Sequence, residues 1–124
     1  MNEKSLHRLI NRRDVIGVTS TIALPGTEVV AGFMAYSVDK HRLEILRLAV
    51  REDCRRHGVG TYLMQRIRSK AAMSRRGIVT AMVPERNMGA IKFFRSVGMR
   101  ATCVQRNWFP ETAEDGYLFE IGAG

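Results

Sequence analysis

Leu43-Glu44-Ile45-Leu46-Arg47-Leu48-Ala49-Val50, then after a short polar turn Arg55-Arg56-His57-Gly58-Val59-Gly60, decide how this chain is read. The first segment is an apolar run of strand length. The second carries two glycines one residue apart, where an amphipathic pattern begins. A strand feeding a glycine-rich turn that opens a helix aims several backbone N–H groups at one place, and the aligned peptide dipoles add partial positive charge there. Gly58 and Gly60 lack a Cβ, so a bulky anion can come close to the main chain. Arg55 and Arg56 add flanking charge. The stretch predicts a phosphate or pyrophosphate site, with a tight turn and solvated arginines as the alternative. The chain has no Gly-x-x-x-x-Gly-Lys-Ser/Thr and no Gly-x-Gly-x-x-Gly, which disfavours a triphosphatase loop and a dinucleotide fold.

Downstream, Val59, Leu63, Ile67 and Ala71 recur every four residues while Gln65, Arg66, Arg68 and Ser69 fall on the other side. This predicts a helix over residues 59–73. Ser74-Arg75-Arg76-Gly77 ends it, with Gly77 as the expected left-handed cap. Residues 78–83 read as a short buried strand stopped by Pro84, and the strand–helix–strand spacing implies a parallel pair with a right-handed crossover. A second helix is expected over residues 87–97, with Ala90, Ile91, Phe94 and Val97 inside, Lys92 and Arg95 outside, and Gly98 as its cap. Residues 99–106 and 117–121 read as two further strands joined by a loop through Pro110. Upstream, residues 5–10 read as a helix end with Ser5 as N-cap. The β-branched run 14–24, a Pro25-Gly26-Thr27-Glu28 turn and residues 29–37 form a hairpin. Gly32 within it marks a close packing point or a bulge. Asp39-Lys40-His41 leads into the strand 42–50. There is no internal repeat, linker or low-complexity tract, so residues 1–124 read as one domain of the α/β (α+β) class.

At 124 residues the chain can bury one modest core. No apolar run approaches the roughly 18 residues of a membrane span, and the N-terminal Met-Asn-Glu-Lys-Ser-Leu-His-Arg lacks the apolar centre of a secretory signal. No membrane partner is expected. Cys54 and Cys103 have no metal-ligand spacing, which disfavours a disulfide scaffold or a zinc site and suggests a reduced cytoplasmic compartment. The net charge of +8 is spread over every segment. It is either a solvated basic surface or a field that attracts an anionic cofactor or an acidic partner such as ribosomal RNA. Without an aromatic-rich basic platform, direct nucleic-acid binding is disfavoured.

Arg55-x-x-Gly58-x-Gly60 resembles the acetyl-CoA signature of the GNAT N-acetyltransferases, Gln/Arg-x-x-Gly-x-Gly/Ala, and Leu48-Ala49-Val50 looks like the end of that family's fourth strand. Asn87-x-x-Ala90-x-x-Phe93-Phe94-x-x-x-Gly98-Met99 resembles the second signature, which usually ends Gly-Phe. Arg106-Asn107-Trp108-Phe109-Pro110 with Glu114-Asp115 is similar to the ribosomal-protein-alanine acetyltransferase branch. The match runs over residues 14–121, and motifs in order are far more specific than one alone. It implies a GNAT-like mixed, mostly antiparallel twisted sheet with a splayed parallel strand pair and flanking helices. It also implies that the N-terminal strand and first helices, one wall of the family's acceptor groove, have no counterpart ahead of residue 5, so the domain reads as N-terminally short. Acetyl-CoA is the implied cosubstrate, without a metal. The implied acceptor is a primary amine, in this branch a ribosomal or other protein N-terminus. A homodimer is left open.

The implied reaction is attack of a neutral amine on the thioester carbonyl, with coenzyme A leaving, and proximity supplies much of the acceleration. The resemblance assigns cofactor contacts to Leu48, Val50, Arg55, Arg56, His57, Gly58, Val59, Gly60, Thr61, Asn87 and Phe94. Asn87 reads equally as a plain helix cap. In the ribosomal branch a glutamate on the fifth strand is the base and a tyrosine on the following helix the acid. Counted from Asn87, those positions hold Met82 and Phe94, and neither moves a proton. Counted back from Val50, Glu44 takes the place of the base glutamate of histone-type GNATs. Strict alternation sets Glu44 on one face with Leu46 and Leu48, where a partly desolvated carboxylate suits a base. The alternative is an exposed glutamate paired with Arg42 or Arg47. Glu85 is a weaker candidate that also reads as a helix start. Tyr117 is a candidate acid by chemistry alone and otherwise an ordinary strand tyrosine. Glu114 and Asp115 either bind an acceptor ammonium or form an exposed acidic loop. His7, His41 and His57 are scattered and suggest neither a triad nor a metal site. The rival functions are a non-catalytic acyl-CoA-binding or regulatory domain, and a basic ribosome- or RNA-binding protein built on the same scaffold.

Overall fold

The computed structural model describes residues 15–55 and 58–123. The expected helix end at residues 5–10, with Ser5 as its cap, lies outside them, as do Arg56 and His57. The elements run β1 (Val15–Leu24), β2 (Thr27–Val38), β3 (Arg42–Val50), α1 (Val59–Met73), β4 (Ile78–Pro84), α2 (Met88–Ser96), β5 (Arg100–Phe109) and β6 (Glu114–Gly122), with 3-10 turns at Glu52–Cys54 and Pro110–Thr112. The strands form a six-stranded sheet in the order β1-β2-β3-β4-β6-β5. β3 and β4 run parallel, and every other neighbouring pair is antiparallel. This is the mixed, mostly antiparallel sheet with flanking helices that the sequence implied.

Local chemistry accounts for the joints. Gly26 takes φ 79 after Pro25, the pairing that a type II turn requires, and Leu24 sits opposite Thr27. Asp39 organises the next turn. Its Oδ1 accepts from the N–H groups of His41 (2.8 Å) and Arg42 (3.0 Å), and these bonds, with Arg42 Nε on Oδ2 (3.0 Å), hold the Asp39 carboxyl below the usual carboxylate range. α2 ends on Gly98 at φ 95, with the Met99 N–H on the Phe94 carbonyl (3.0 Å) and the Gly98 N–H on Arg95 (3.1 Å). The end of α1 corrects the expectation for Gly77. Arg75 takes the left-handed conformation (φ 59), with the Arg76 N–H on Ala71 O (2.9 Å) and the Arg75 N–H on Ala72 O (3.2 Å). The cap falls two residues early because Arg76 is anchored elsewhere: its Nε–H donates to Asp39 O (2.9 Å) in the β2–β3 turn.

Both helices lie on one face of the sheet. A Cβ on Gly32 would stand 2.7 Å from Val59 Cγ1 and 3.2 Å from Leu63 Cδ1, so β2 and α1 meet there, as the sequence suggested. Phe94 of α2 packs on Phe119 of β6, ring centroids 6.1 Å apart, and edge-on to Phe93. Met34, Tyr36, Leu43, Ile45, Val79, Ala81 and Phe119 complete this core from the strands. Register extends the same face across the sheet, since Tyr36 sits opposite Ile45, Leu43 beside Val79, and Ala81 opposite Phe119.

β5 and β6 are both longer than the sequence patterns implied, so Glu114 and Asp115 open β6 instead of forming an exposed acidic loop. Glu114 is only 8% exposed. The reason is long-range. The Glu85 N–H donates to Asp115 O (3.0 Å), the Asp115 N–H to Glu85 Oε1 (3.1 Å) and the Arg86 N–H to Glu114 Oε2 (3.0 Å), which clamps the start of β6 to the turn after β4. Glu85 and Glu114 thereby spend carboxylate oxygens on backbone donors, which fits a structural role better than catalysis or ammonium binding.

Candidate active site

The site begins where β3 and β4 part. Their parallel pairing runs from Arg42 beside Ile78 through Glu44 beside Thr80 to Ile45 beside Ala81, and stops there. β3 continues to Val50 and β4 to Pro84 without pairing to each other. Residues 46–50 stay paired to β2 over most of their length and 82–84 to β6, so the two walls of the gap are rigid. Each residue of a strand carries one donor and one acceptor, and those that face across the gap have no ladder partner there, so they are free for an extended ligand. Between Ala35 and Tyr36 the β2–β3 register shifts, because Ala35 pairs with Arg47 and Tyr36 with Ile45, leaving Leu46 as an extra residue. That bulge sits at the first unpaired position of the gap.

The bulge corrects the facial assignment of β3. Leu48 pairs with Met34 and Ile45 with Tyr36, so Leu48 shares the helix-packed face with Ile45 and lies opposite Glu44. A bulge consumes one residue without a partner and reverses the alternation beyond it. Leu48 and Val50 therefore pack against the core, and Glu44 has Arg47, not Leu48, on its side of the sheet. Glu44 is half-buried, one pair before the strands separate.

Past the end of β3 the chain turns into α1. Gly58 is the N-cap residue at φ 77, ψ 10, and among the described residues no side chain caps the helix. The first helical bond runs from the Tyr62 N–H to Gly58 O (2.9 Å), so the N–H groups of Val59, Gly60 and Thr61 lie at the uncapped end. A Cβ added to Gly58 would meet nothing within 4 Å, which leaves the approach open. Arg55 Nε–H donates to Val50 O (3.4 Å), so its guanidinium stands at the mouth of the gap. Gly60 is used differently from the expectation. Its Cβ would lie 2.8 Å from Phe93 Cε1 and 3.7 Å from Val50 Cγ2, so its missing side chain makes room for α2, while its N–H stays at the uncapped helix start.

The second signature divides its labour. Asn87 Oδ1 accepts from the Ala90 N–H (3.1 Å) and caps α2, leaving its amide N–H₂ exposed. Asn87→Ala is expected to destabilise the fold by about 1 kcal/mol, the usual worth of such a cap, as read by urea denaturation. Phe94 is 6% exposed and belongs to the core; the ring facing Val50 and Gly60 is Phe93, which sequence reading passed over. The adjacent pair Phe93-Phe94, whose rings a helix must send in different directions, was the available signal. Tyr117 pairs with Val83 and Val104 and lines a groove with Ile91, Arg95 and Phe119. It lies on the helix-packed face, across β4 from the gap, so the structure does not bring it together with Glu44.

On the Glu44 face, Met82 stands beside Gly116. Its Sδ is 2.8 Å from where a Gly116 Cβ would be, and Trp108 Cβ is 3.1 Å from the same point. The absent side chain lets Met82 and Trp108 meet, and Trp108 remains 51% exposed. This apolar patch at the gap was missed, because the register that assembles it spans three strands. Cys54 follows β3 closely, yet its thiol is pushed up by burial and by the neighbouring Asp53 carboxylate (Sγ to Oδ1, 3.5 Å), which disqualifies it as a ready nucleophile.

The fit to an acyl-coenzyme A is physical: an uncapped helix start with an open glycine for the diphosphate, and a rigid strand gap for the pantetheine arm. Comparison with known proteins agrees. The acetyltransferase (GNAT) family model matches residues 4–99. The structure is similar to the ribosomal-protein-S18-alanine N-acetyltransferase of Escherichia coli, with TM-score 0.76, 20% identity, and 100% of this chain and 78% of that one covered. It is similar to Ard1 of Thermoplasma volcanium, with TM-score 0.69, 28% identity, and 77% and 64% covered. It is also similar to Arabidopsis thaliana NAA60 solved with acetyl-CoA, with TM-score 0.78, 16% identity, and 98% and 84% covered. Among curated protein sequences, none matches significantly.

Proposed function

The chain belongs to the GNAT acetyltransferase family, and we propose that it transfers the acetyl group of acetyl-CoA to a protein N-terminal α-amine by direct attack in a ternary complex. The observation that carries this reading is the end of β3–β4 pairing at Ile45 and Ala81, with Glu44 immediately before the gap and the open start of α1 after it. Acetyl-CoA supplies an activated acyl carbon on a thiolate leaving group. The N–H groups of Val59, Gly60 and Thr61 would hold the diphosphate, with Arg55 neutralising its charge. The free backbone along residues 46–50 would orient the thioester and donate to its carbonyl oxygen. Glu44 would take the amine proton from the other face of the sheet.

The choice of an α-amine rests on proton energetics. An α-amino group has a pKa of about 7.7–8.0 and lysine about 10.4, so near pH 7 on the order of a tenth of α-amines are neutral, against below a thousandth of lysines. With Met82 where the ribosomal branch carries its base, a site whose candidate base is the half-buried Glu44 suits the easier substrate. The similarity to the S18-alanine enzyme and to NAA60 is compatible with this choice. The exposed Trp108 beside Met82 would give the first acceptor residue an apolar floor. The test is coenzyme A release with N-terminal peptides beside lysine peptides and polyamines. Peptides with free α-amines are expected to react and N-blocked lysine peptides to react far more slowly; preference for lysine or polyamine would overturn the assignment.

The leaving thiolate is expected to take its proton from solvent and not from Tyr117. Tyr117→Phe should keep turnover within about twofold, since Tyr117 lies across β4 from the gap, on the face opposite Glu44. A loss of tenfold or more would return Tyr117 to the mechanism.

A further inference from the structure

The sheet face that carries Glu44 holds a polar row that runs straight across four neighbouring strand pairs. Ser37 pairs with Glu44, Glu44 lies beside Thr80, Thr80 faces Glu120, and Glu120 faces Arg100. In the middle of the row Thr80 is 1% exposed, and its Oγ1 is buried without a hydrogen-bond partner among the described residues. Its strand neighbours Val79 and Ala81 are core residues on the other face. A buried hydroxyl without a partner is costly, and burial without function would favour the apolar isostere.

We infer that Thr80 is the positioning residue for Glu44: its hydroxyl donates to the Glu44 carboxylate and fixes the orientation in which that carboxylate receives the amine. The inference rests on the reading of Glu44 as base. Adjacent strands lie about 4.8 Å apart, so rotation about the short threonine and longer glutamate side chains closes the contact. Other charged groups share the face. Arg42 is bonded to Asp39, Arg47 follows the bulge, and Glu120 has Arg100 in register on its far side. Among the described residues Thr80 is the hydroxyl beside Glu44 on the β4 side, where the strands begin to part, and Ser37 flanks it from β2.

The test is Thr80→Val, Thr80→Ser and Glu44→Gln, singly and with Thr80→Val combined with Glu44→Gln. Thr80→Val is expected to lower kcat about five- to tenfold, the rate equivalent of one hydrogen bond, with KM for acetyl-CoA unchanged and the melting temperature equal or higher. Thr80→Ser should stay within about twofold of the parent, because it keeps the donor. In the Glu44→Gln background, Thr80→Val should have no further effect on kcat. Unchanged turnover in Thr80→Val, an additive loss in the double variant, a slow Thr80→Ser, or a fall in melting temperature that accompanies the lost turnover would each overturn the inference. If Glu44→Gln alone keeps full turnover, the base assignment itself is wrong; if it loses turnover and Thr80→Val does not, only the role of Thr80 is.

Discussion

Gly58→Glu is expected to remove acetyl-CoA binding, raising Kd at least about 100-fold in a calorimetric titration. The variant should still fold. A Cβ at this position meets nothing within 4 Å, so the structural cost is the left-handed φ of 77, worth roughly 1–2 kcal/mol for an L residue. A carboxylate at the start of α1 even recovers part of that by interacting with the helix dipole. Binding is another matter. The new charge would occupy the space in front of the Val59, Gly60 and Thr61 N–H groups that a diphosphate needs. Two like charges about 4 Å apart near a protein surface repel by about 4 kcal/mol, which is close to a thousandfold in affinity. Gly58→Asn separates the two effects, since asparagine tolerates the left-handed conformation and carries no charge. It should weaken binding by about tenfold at most. Affinity for acetyl-CoA within threefold of the parent in Gly58→Glu would mean that the diphosphate lies elsewhere.

Which parts of this molecule could be read beforehand follows from the range of the forces that set them. α1 was legible because Val59, Leu63, Ile67 and Ala71 must share a face wherever the helix packs, and all of them are buried. The hairpin at Pro25-Gly26 and the Gly98 cap were legible because each is decided by a residue's own φ. Gly77 looked like a cap on the same grounds, but a contact between Arg76 and Asp39, thirty-seven positions apart, moved the turn to Arg75. The ends of β5 and β6 were misjudged for a similar reason. The bonds of Glu85 and Glu114 that hold them come from a different strand's turn.

The site shows the same division. Its open glycine and uncapped helix were visible in Arg55-x-x-Gly58-x-Gly60, since a helix start needs only local sequence. Its facial geometry was not. Nothing within Arg42–Val50 announces that Leu46 will be skipped by β2, and that single shift turns Leu48 away from Glu44. Phe94 was assigned to the cofactor by motif yet fills the core, and the missing side chain of Gly60, read as room for an anion, makes room for Phe93 while its N–H stays at the helix start. A motif preserves residues that pack together as readily as residues that touch a ligand, and the sequence pattern alone does not separate the two.

Glu44→Gln is expected to lower kcat about 100-fold at saturating acetyl-CoA, the lower range of what a positioned general base contributes. Affinity for acetyl-CoA should stay within about twofold, because Glu44 faces away from the helix-packed side where Leu48 and Val50 lie. Glutamine keeps the size and one acceptor oxygen but cannot accept a proton, so a loss confined to kcat identifies proton transfer rather than positioning. The size of the loss should also follow the acceptor. An α-amine arrives neutral in a useful fraction near pH 7, whereas a lysine must be deprotonated almost every time, so the variant should suffer more with lysine than with α-amine peptides. Equal turnover by Glu44→Gln and the parent would leave the amine to lose its proton to water, and the carboxylate beside Thr80 would then be a strand residue and no more.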